Sequence, residues 1–179
     1  LTSAPRVPPL PATSPHRTRL VSSSARHGQN NLDLYVLQLP SGSPVRITST
    51  DEDETEAAFS PDGASIAFHS TKGDGGIYIM PALGGEARLL VRGGQSPRFS
   101  PDGTSIAYYT GSVTSGDPFA EGASKSFIIA ISGGTPRQLH PEFSVVPYPV
   151  WSPDGKRNAL EGVAGGPTRR TILKYMWQT

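Results

Sequence analysis

Phe59-Ser60-Pro61-Asp62-Gly63, followed by Ala64-Ser65-Ile66-Ala67-Phe68, decides the fold. The unit returns as Phe99-Ser100-Pro101-Asp102-Gly103 with Thr104-Ser105-Ile106-Ala107-Tyr108, and again as Trp151-Ser152-Pro153-Asp154-Gly155. Pro presets the first corner of a type I turn, and Asp tolerates the second while bonding nearby backbone. Gly accepts the positive φ that follows, giving a turn with a bulge. The flanking runs alternate apolar and polar residues. Each unit therefore reads as a hairpin, with strand a entering and strand b leaving. A worn fourth copy stands upstream at Ser14-Pro15-His16-Arg17, with Leu20 in the place of Ile66 and Ile106.

The spacing makes these hairpins repeats. Phe59 and Phe99 are 40 residues apart, Phe99 and Trp151 are 52 apart, and Ser14 and Ser60 are 46 apart. Periods of ~40–50 residues belong to solenoids, arrays or propellers. A second signal recurs between the hairpins. Leu32 to Leu37, Gly76 to Met80 and Phe127 to Ile131 each precede a Gly-containing turn and then Val45-Arg46-Ile47, Ala87-Arg88-Leu89-Leu90 or Pro136-Arg137-Gln138-Leu139. These are strands c and d. Four short antiparallel strands in about 42 residues are the content of one propeller blade.

The predicted fold is all-β: a propeller of four-stranded antiparallel blades, with about three full blades and a partial fourth. Residues 1–13, rich in Pro, Ser and Thr, read as a linker or frayed edge. The blades are expected at about 14–48, 55–90, 95–139 and 146–179. Asn158 replaces Ile66 and Ile106 at an inward position, where an unpaired amide costs about 1–3 kcal/mol.

Composition agrees. The 179 residues include 20 Gly and 18 Pro, which suits many tight turns and argues against long helices. Sixteen basic and fifteen acidic residues leave a net charge of +1, no chain-wide case for binding nucleic acid or an acidic membrane. The absence of Cys excludes a disulfide scaffold, a thiolate zinc site and a cysteine nucleophile. No apolar run approaches the ~18 residues that cross a bilayer as a helix. Leu1 to Leu10 lacks the apolar core of a signal peptide and starts without Met, so the chain reads as part of a longer one.

The unit Phe-Ser-Pro-Asp-Gly-x-x-Ile-Ala-Phe resembles the Pro-Asp repeat of TolB-type, WD-repeat-like β-propellers, over roughly residues 14–160. A narrower likeness is to propeller segments fused to bacterial Ser/Thr protein kinases or winged-helix regulators. It rests on Ile77-Tyr78-Ile79-Met80-Pro81-Ala82-Leu83-Gly84-Gly85, Pro97-Arg98-Phe99, Pro136 to Phe143 and Tyr148-Pro149-Val150-Trp151. The resemblance implies a bacterial, non-catalytic module that binds a protein or peptide within a larger protein. A periplasmic or extracytoplasmic place follows from the resemblance alone. The alternative is a substrate-gating accessory propeller of a prolyl-oligopeptidase-type serine peptidase, with its catalytic domain elsewhere.

No catalytic residue, metal ligand or cofactor site emerges. There is no Gly-x-Ser-x-Gly elbow, no His-Glu-x-x-His and no phosphate-cradling Gly-rich loop. His16, His27, His69 and His140 are scattered, and His69 reads as one face of strand b. Ser60 to Gly63, Ser100 to Gly103 and Ser152 to Gly155 are expected to be structural turns, held apart by the radial repeat. The opposite face carries the candidate partner-binding loops: the run with Asp51, Glu52, Asp53, Glu54 and Glu56; the insertion with Asp117, Phe119 and Glu121; and the stretch with His140 and Phe143. The bland reading of the acidic run is a solvated segment that keeps strand edges apart, and a further alternative is a site for a cation or a basic partner. Charge is segregated, +4 over residues 1–30, −7 over 31–154 and +4 over 155–179. Arg17, Arg19, Arg169 and Arg170 are candidates for a phosphate but read better as a solvated edge, because no aromatic stacking pattern accompanies them. An open arc of blades leaves apolar faces uncovered, so self-association is expected.

Overall fold

The computed structural model describes residues 11–25, 31–111, 124–143, 148–159, 161–164 and 171–174. Sixteen strands and no helix occur among them. Strands β1 (Ala12–Thr13), β2 (Arg19–Ser24), β3 (Asp33–Gln38) and β4 (Val45–Arg46) form the first antiparallel sheet, in sequence order. β5 (Glu54–Phe59), β6 (Ser65–Ser70), β7 (Gly76–Pro81) and β8 (Arg88–Arg92) form the second. β9 (Gly94–Phe99), β10 (Ser105–Gly111), β11 (Ser124–Ala130) and β12 (Arg137–Gln138) form the third. β13 (Val150–Trp151) pairs with β14 (Asn158–Ala159), and β15 (Glu161–Ala164) pairs with β16 (Thr171–Lys174). The architecture is an incomplete β-propeller of about three blades and part of a fourth.

Period-2 alternation sends alternate side chains to opposite faces of each sheet, and neighbouring blades bury them against one another. Val21, Leu34 and Val36 of the first sheet meet Ile66, Phe68 and Met80 of the second. On its other face the second sheet offers Ala67, Ile77 and Ile79 to Ile106, Tyr108 and Ile129 of the third. Burial pushes the Tyr108 phenol up to about 12. Asn158 is buried on the fourth blade, and its Oδ1 has no hydrogen-bond partner among the described residues.

One boundary differs from the sequence reading. Ala12 and Thr13 do not belong to a linker; they pair with Val21 and Leu20 as the innermost strand of the first blade. Hydrogen bonding to β2 overrides the Pro- and Ser-rich composition that suggested a frayed end.

A backbone feature also repeats. Glu56, Ser96 and Tyr148 adopt positive φ, 55°, 48° and 55°. Each lies three residues before the aromatic residue of its corner, Phe59, Phe99 or Trp151. The pairing register shifts beside the first two, as a β-bulge requires.

Candidate functional site

Each Ser-Pro-Asp-Gly corner closes by the same bonds. The Ser60 hydroxyl donates to Asp62 Oδ1 at 2.5 Å and accepts the Ser65 N–H at 2.9 Å. Asp62 Oδ1 also accepts the Ala64 N–H at 2.9 Å. Ser100 with Asp102 and Ser152 with Asp154 repeat the pattern, at 2.6 and 2.5 Å. The serine bond, with help from the backbone N–H, holds all three carboxyls below the usual carboxylate range. Gly63, Gly103 and Gly155 take φ of 69°, 73° and 69°, the region that disfavours a side chain.

The worn upstream copy keeps this backbone. Arg17 donates its N–H to the Ser14 carbonyl, as Gly63 does to that of Ser60, both at 2.8 Å. Arg17 occupies the glycine place at φ 53°.

Neighbouring corners also touch through their proline and glycine residues. A Cβ on Gly103 would lie 3.4 Å from Pro61, one on Gly155 3.3 Å from Pro101, and one on Gly63 3.6 Å from Pro15. Each proline rests on the glycine of the next corner. Arg19 adds a latch between the first two blades. Its Nη2 donates to the Gly63 carbonyl at 2.7 Å, and its guanidinium lies 5.5 Å from the centre of the Phe59 ring.

Between the second and third corners lies a groove of about 840 Å³. Asp62 and Asp102 stand on its walls with Glu86 and Arg88, and Ile79, Phe99 and Ile131 supply apolar surface. Arg88 donates to the Ile131 carbonyl of the adjacent blade. A smaller groove, about 400 Å³, runs along the innermost strands between Thr13, Glu56, Ser96 and Arg98.

The bland reading of the acidic run as a solvated segment is corrected by burial. Glu54 is 1% exposed; its Oε1 accepts the Thr50 hydroxyl at 2.5 Å and the Ser70 hydroxyl at 3.3 Å. Burial raises its pKa above the usual value, and Asp33 adds to the rise. Asp33 is fully buried, with Arg46 2.7 Å from its Oδ2. The Asp53 carboxylate accepts the Leu32 N–H at 2.8 Å, and Glu56 is committed to Ser96. Asp51 is exposed and Glu52 half-buried. The run is the seam between the first two blades.

His140 and Phe143 are also mostly interior, each 7% exposed, with ring centres 5.5 Å apart. Pro141 and Glu142, between them, are exposed. His140 Nδ1 lies 2.7 Å from Glu142 Oε1, which lowers the Glu142 pKa. His69 is half-buried, and burial lowers its pKa. Asp117, Phe119, Glu121, His27, Arg169 and Arg170 lie outside the described residues. Among the described residues no three His, Asp or Glu side chains stand together as metal ligands. No helix among them is long and apolar enough to cross a membrane.

Sequence reasoning missed the larger groove. Glu86, Arg88 and Ile131 sit in or beside c–d turns, and only the stacking of blades brings them to the corners. The local signal was the charged pair Glu86 and Arg88 beside Gly84-Gly85.

The blades and corners define a β-propeller built from Pro-Asp repeats. A model of the TolB beta propeller domain matches residues 2–117. The chain belongs to that family. Among solved structures, TolB from Acinetobacter baumannii superposes with a TM-score of 0.68 at 20% identity, covering 94% of this chain and 43% of that one. A TolB of Agrobacterium tumefaciens gives 0.66 at 20% identity, covering 85% and 53%. A puromycin-hydrolyzing peptidase of Mycobacterium tuberculosis gives 0.63 at 18% identity, covering 86% and 25%. The chain spans about half or less of the length of these proteins. No curated protein sequence matches it.

Proposed function

We propose that this TolB-like propeller segment is a non-catalytic interaction module that takes a protein or peptide segment on its corner face. The observation that carries the reading is the groove of about 840 Å³ between the second and third corners. Its size falls in the range of ligand sites, and its walls are turns fixed by repeated hydrogen bonds. Rigid turns bind with little ordering cost, because their conformation is already that of the complex. The corner carboxylates stay charged at neutral pH, and apolar surface lies beside them.

The test is selection of displayed peptides on the chain, repeated on Pro81→Trp, which places a large ring on the exposed rim of the groove. Selected peptides are expected to lose binding to the variant and to be recovered intact by mass spectrometry. Peptides that bind both proteins equally would overturn the site, and recovered cleavage products would overturn the non-catalytic role.

A further inference from the structure

The charge on the groove is unequal. Asp62, Asp102 and Glu86 bring three carboxylates, against the single guanidinium of Arg88. That guanidinium is already engaged with the Ile131 carbonyl. The two aspartates are exposed, and the hydrogen bonds they accept from Ser60, Ala64, Ser100 and Thr104 all fall on Oδ1. Among the described residues, Oδ2 of each accepts none. Glu86 is exposed as well. Serine bonding keeps the aspartates ionised into the acid range, so the excess negative charge is permanent near neutrality. Ile79, Phe99 and Ile131 meanwhile give the groove an apolar side. A partner that answers both features carries a cationic head beside an apolar side chain.

We propose that the groove receives a peptide segment bearing lysine or arginine next to an apolar residue, its cationic heads paired with Asp62, Asp102 and Glu86. This assignment rests on the reading of the groove as a peptide site and adds the chemistry of the occupant. Long, flexible basic side chains suit three acidic groups spread along a groove.

The experiment uses the full chain and two labelled probes, an alternating Lys–Leu peptide and its Glu–Leu counterpart, followed by fluorescence anisotropy. The Lys–Leu peptide is expected to bind, and to bind more weakly as salt rises, because the acids are exposed to screening. The double variant Asp62→Asn/Asp102→Asn is expected to weaken it at least tenfold. Asn keeps the Oδ1 acceptor, so the corners retain their bonds, which an unchanged melting temperature verifies. Glu86→Lys touches no corner and is expected to shift preference toward the Glu–Leu peptide. Asp51→Asn, beyond the other end of the sheets, is expected to change nothing. Equal binding of the two probes, or Lys–Leu binding indifferent to both groove variants, overturns the charge assignment. If displayed peptides still require the groove yet lack basic residues, the assignment fails while the peptide-site reading stands. If no peptide requires the groove, both fail.

Discussion

The carboxylate of Glu56 accepts both the backbone N–H of Ser96, at 2.8 Å, and its hydroxyl, at 3.0 Å. The two residues hold equivalent places in consecutive repeats, each at the positive-φ bulge of an innermost strand. A bulge leaves a ladder donor unpaired, and the preceding blade supplies its acceptor. Removing that acceptor strands the Ser96 N–H in a buried setting. Glu56→Ala is expected to cost about 1–3 kcal/mol. Glu56→Gln, which keeps one acceptor oxygen, is expected to cost less. Urea denaturation of the two variants checks the order, and equal midpoints for both and the parent would contradict it.

Arg17 holds a left-handed conformation that its counterparts Gly63, Gly103 and Gly155 adopt without a Cβ. Its side chain is exposed, so little packing is lost on removal. Arg17→Gly is expected to stabilise the first corner by about 1 kcal/mol, the lower end of the cost of such strain. The melting temperature should then rise by about 2–4 °C. A fall in melting temperature would show that the Arg17 side chain holds the corner by some contact other than its backbone.

Asn158 is 3% exposed and stands where the second and third blades carry Ile66 and Ile106, both fully buried. Its Oδ1 has no partner among the described residues. Asn158→Ile removes the orphaned acceptor and restores apolar contact with the third blade. A gain of about 1–2 kcal/mol is expected, seen as a higher denaturation midpoint. A loss would mean that the damaged blade has repacked around the amide.

Glu54 makes stability depend on pH in an unusual direction. Burial disfavours its charged form, so its native pKa lies above the ordinary 4.5. Between these two values the native state holds a proton that the unfolded chain has lost, and stability falls as pH rises through that window. Below 4.5 both states are protonated and the penalty disappears. The corner aspartates act oppositely and in more acid. Their lowered values favour folding above 3.8, and that contribution is lost as pH falls through them. Glu54→Gln is therefore expected to flatten the decline in melting temperature above pH 4.5 while leaving the acid limb in place. An unchanged decline would assign it to another group.

The sequence determined the corners, the strands and the period of the repeat. A Ser-Pro-Asp-Gly corner is a local object: proline's ring, the Ser–Asp bond and glycine's freedom act within four residues wherever the unit is placed. Alternating apolar strands around it then require a neighbour on each face, so a stacked-sheet architecture follows from the pattern. The same logic placed Asn158 at a buried position. Contacts between blades were decided only in the tertiary structure, because they depend on which residues the stacking brings together. The bland reading of Asp51 to Glu56 is a solvated run, yet Glu54 is enclosed by Thr50, Ser70 and Asp33, and Glu56 serves a bulge 40 residues on. The groove is likewise assembled from one blade's corner, its c–d turn and the next blade's corner. Each part has a local cause, and the concavity between them has none until the sheets pack.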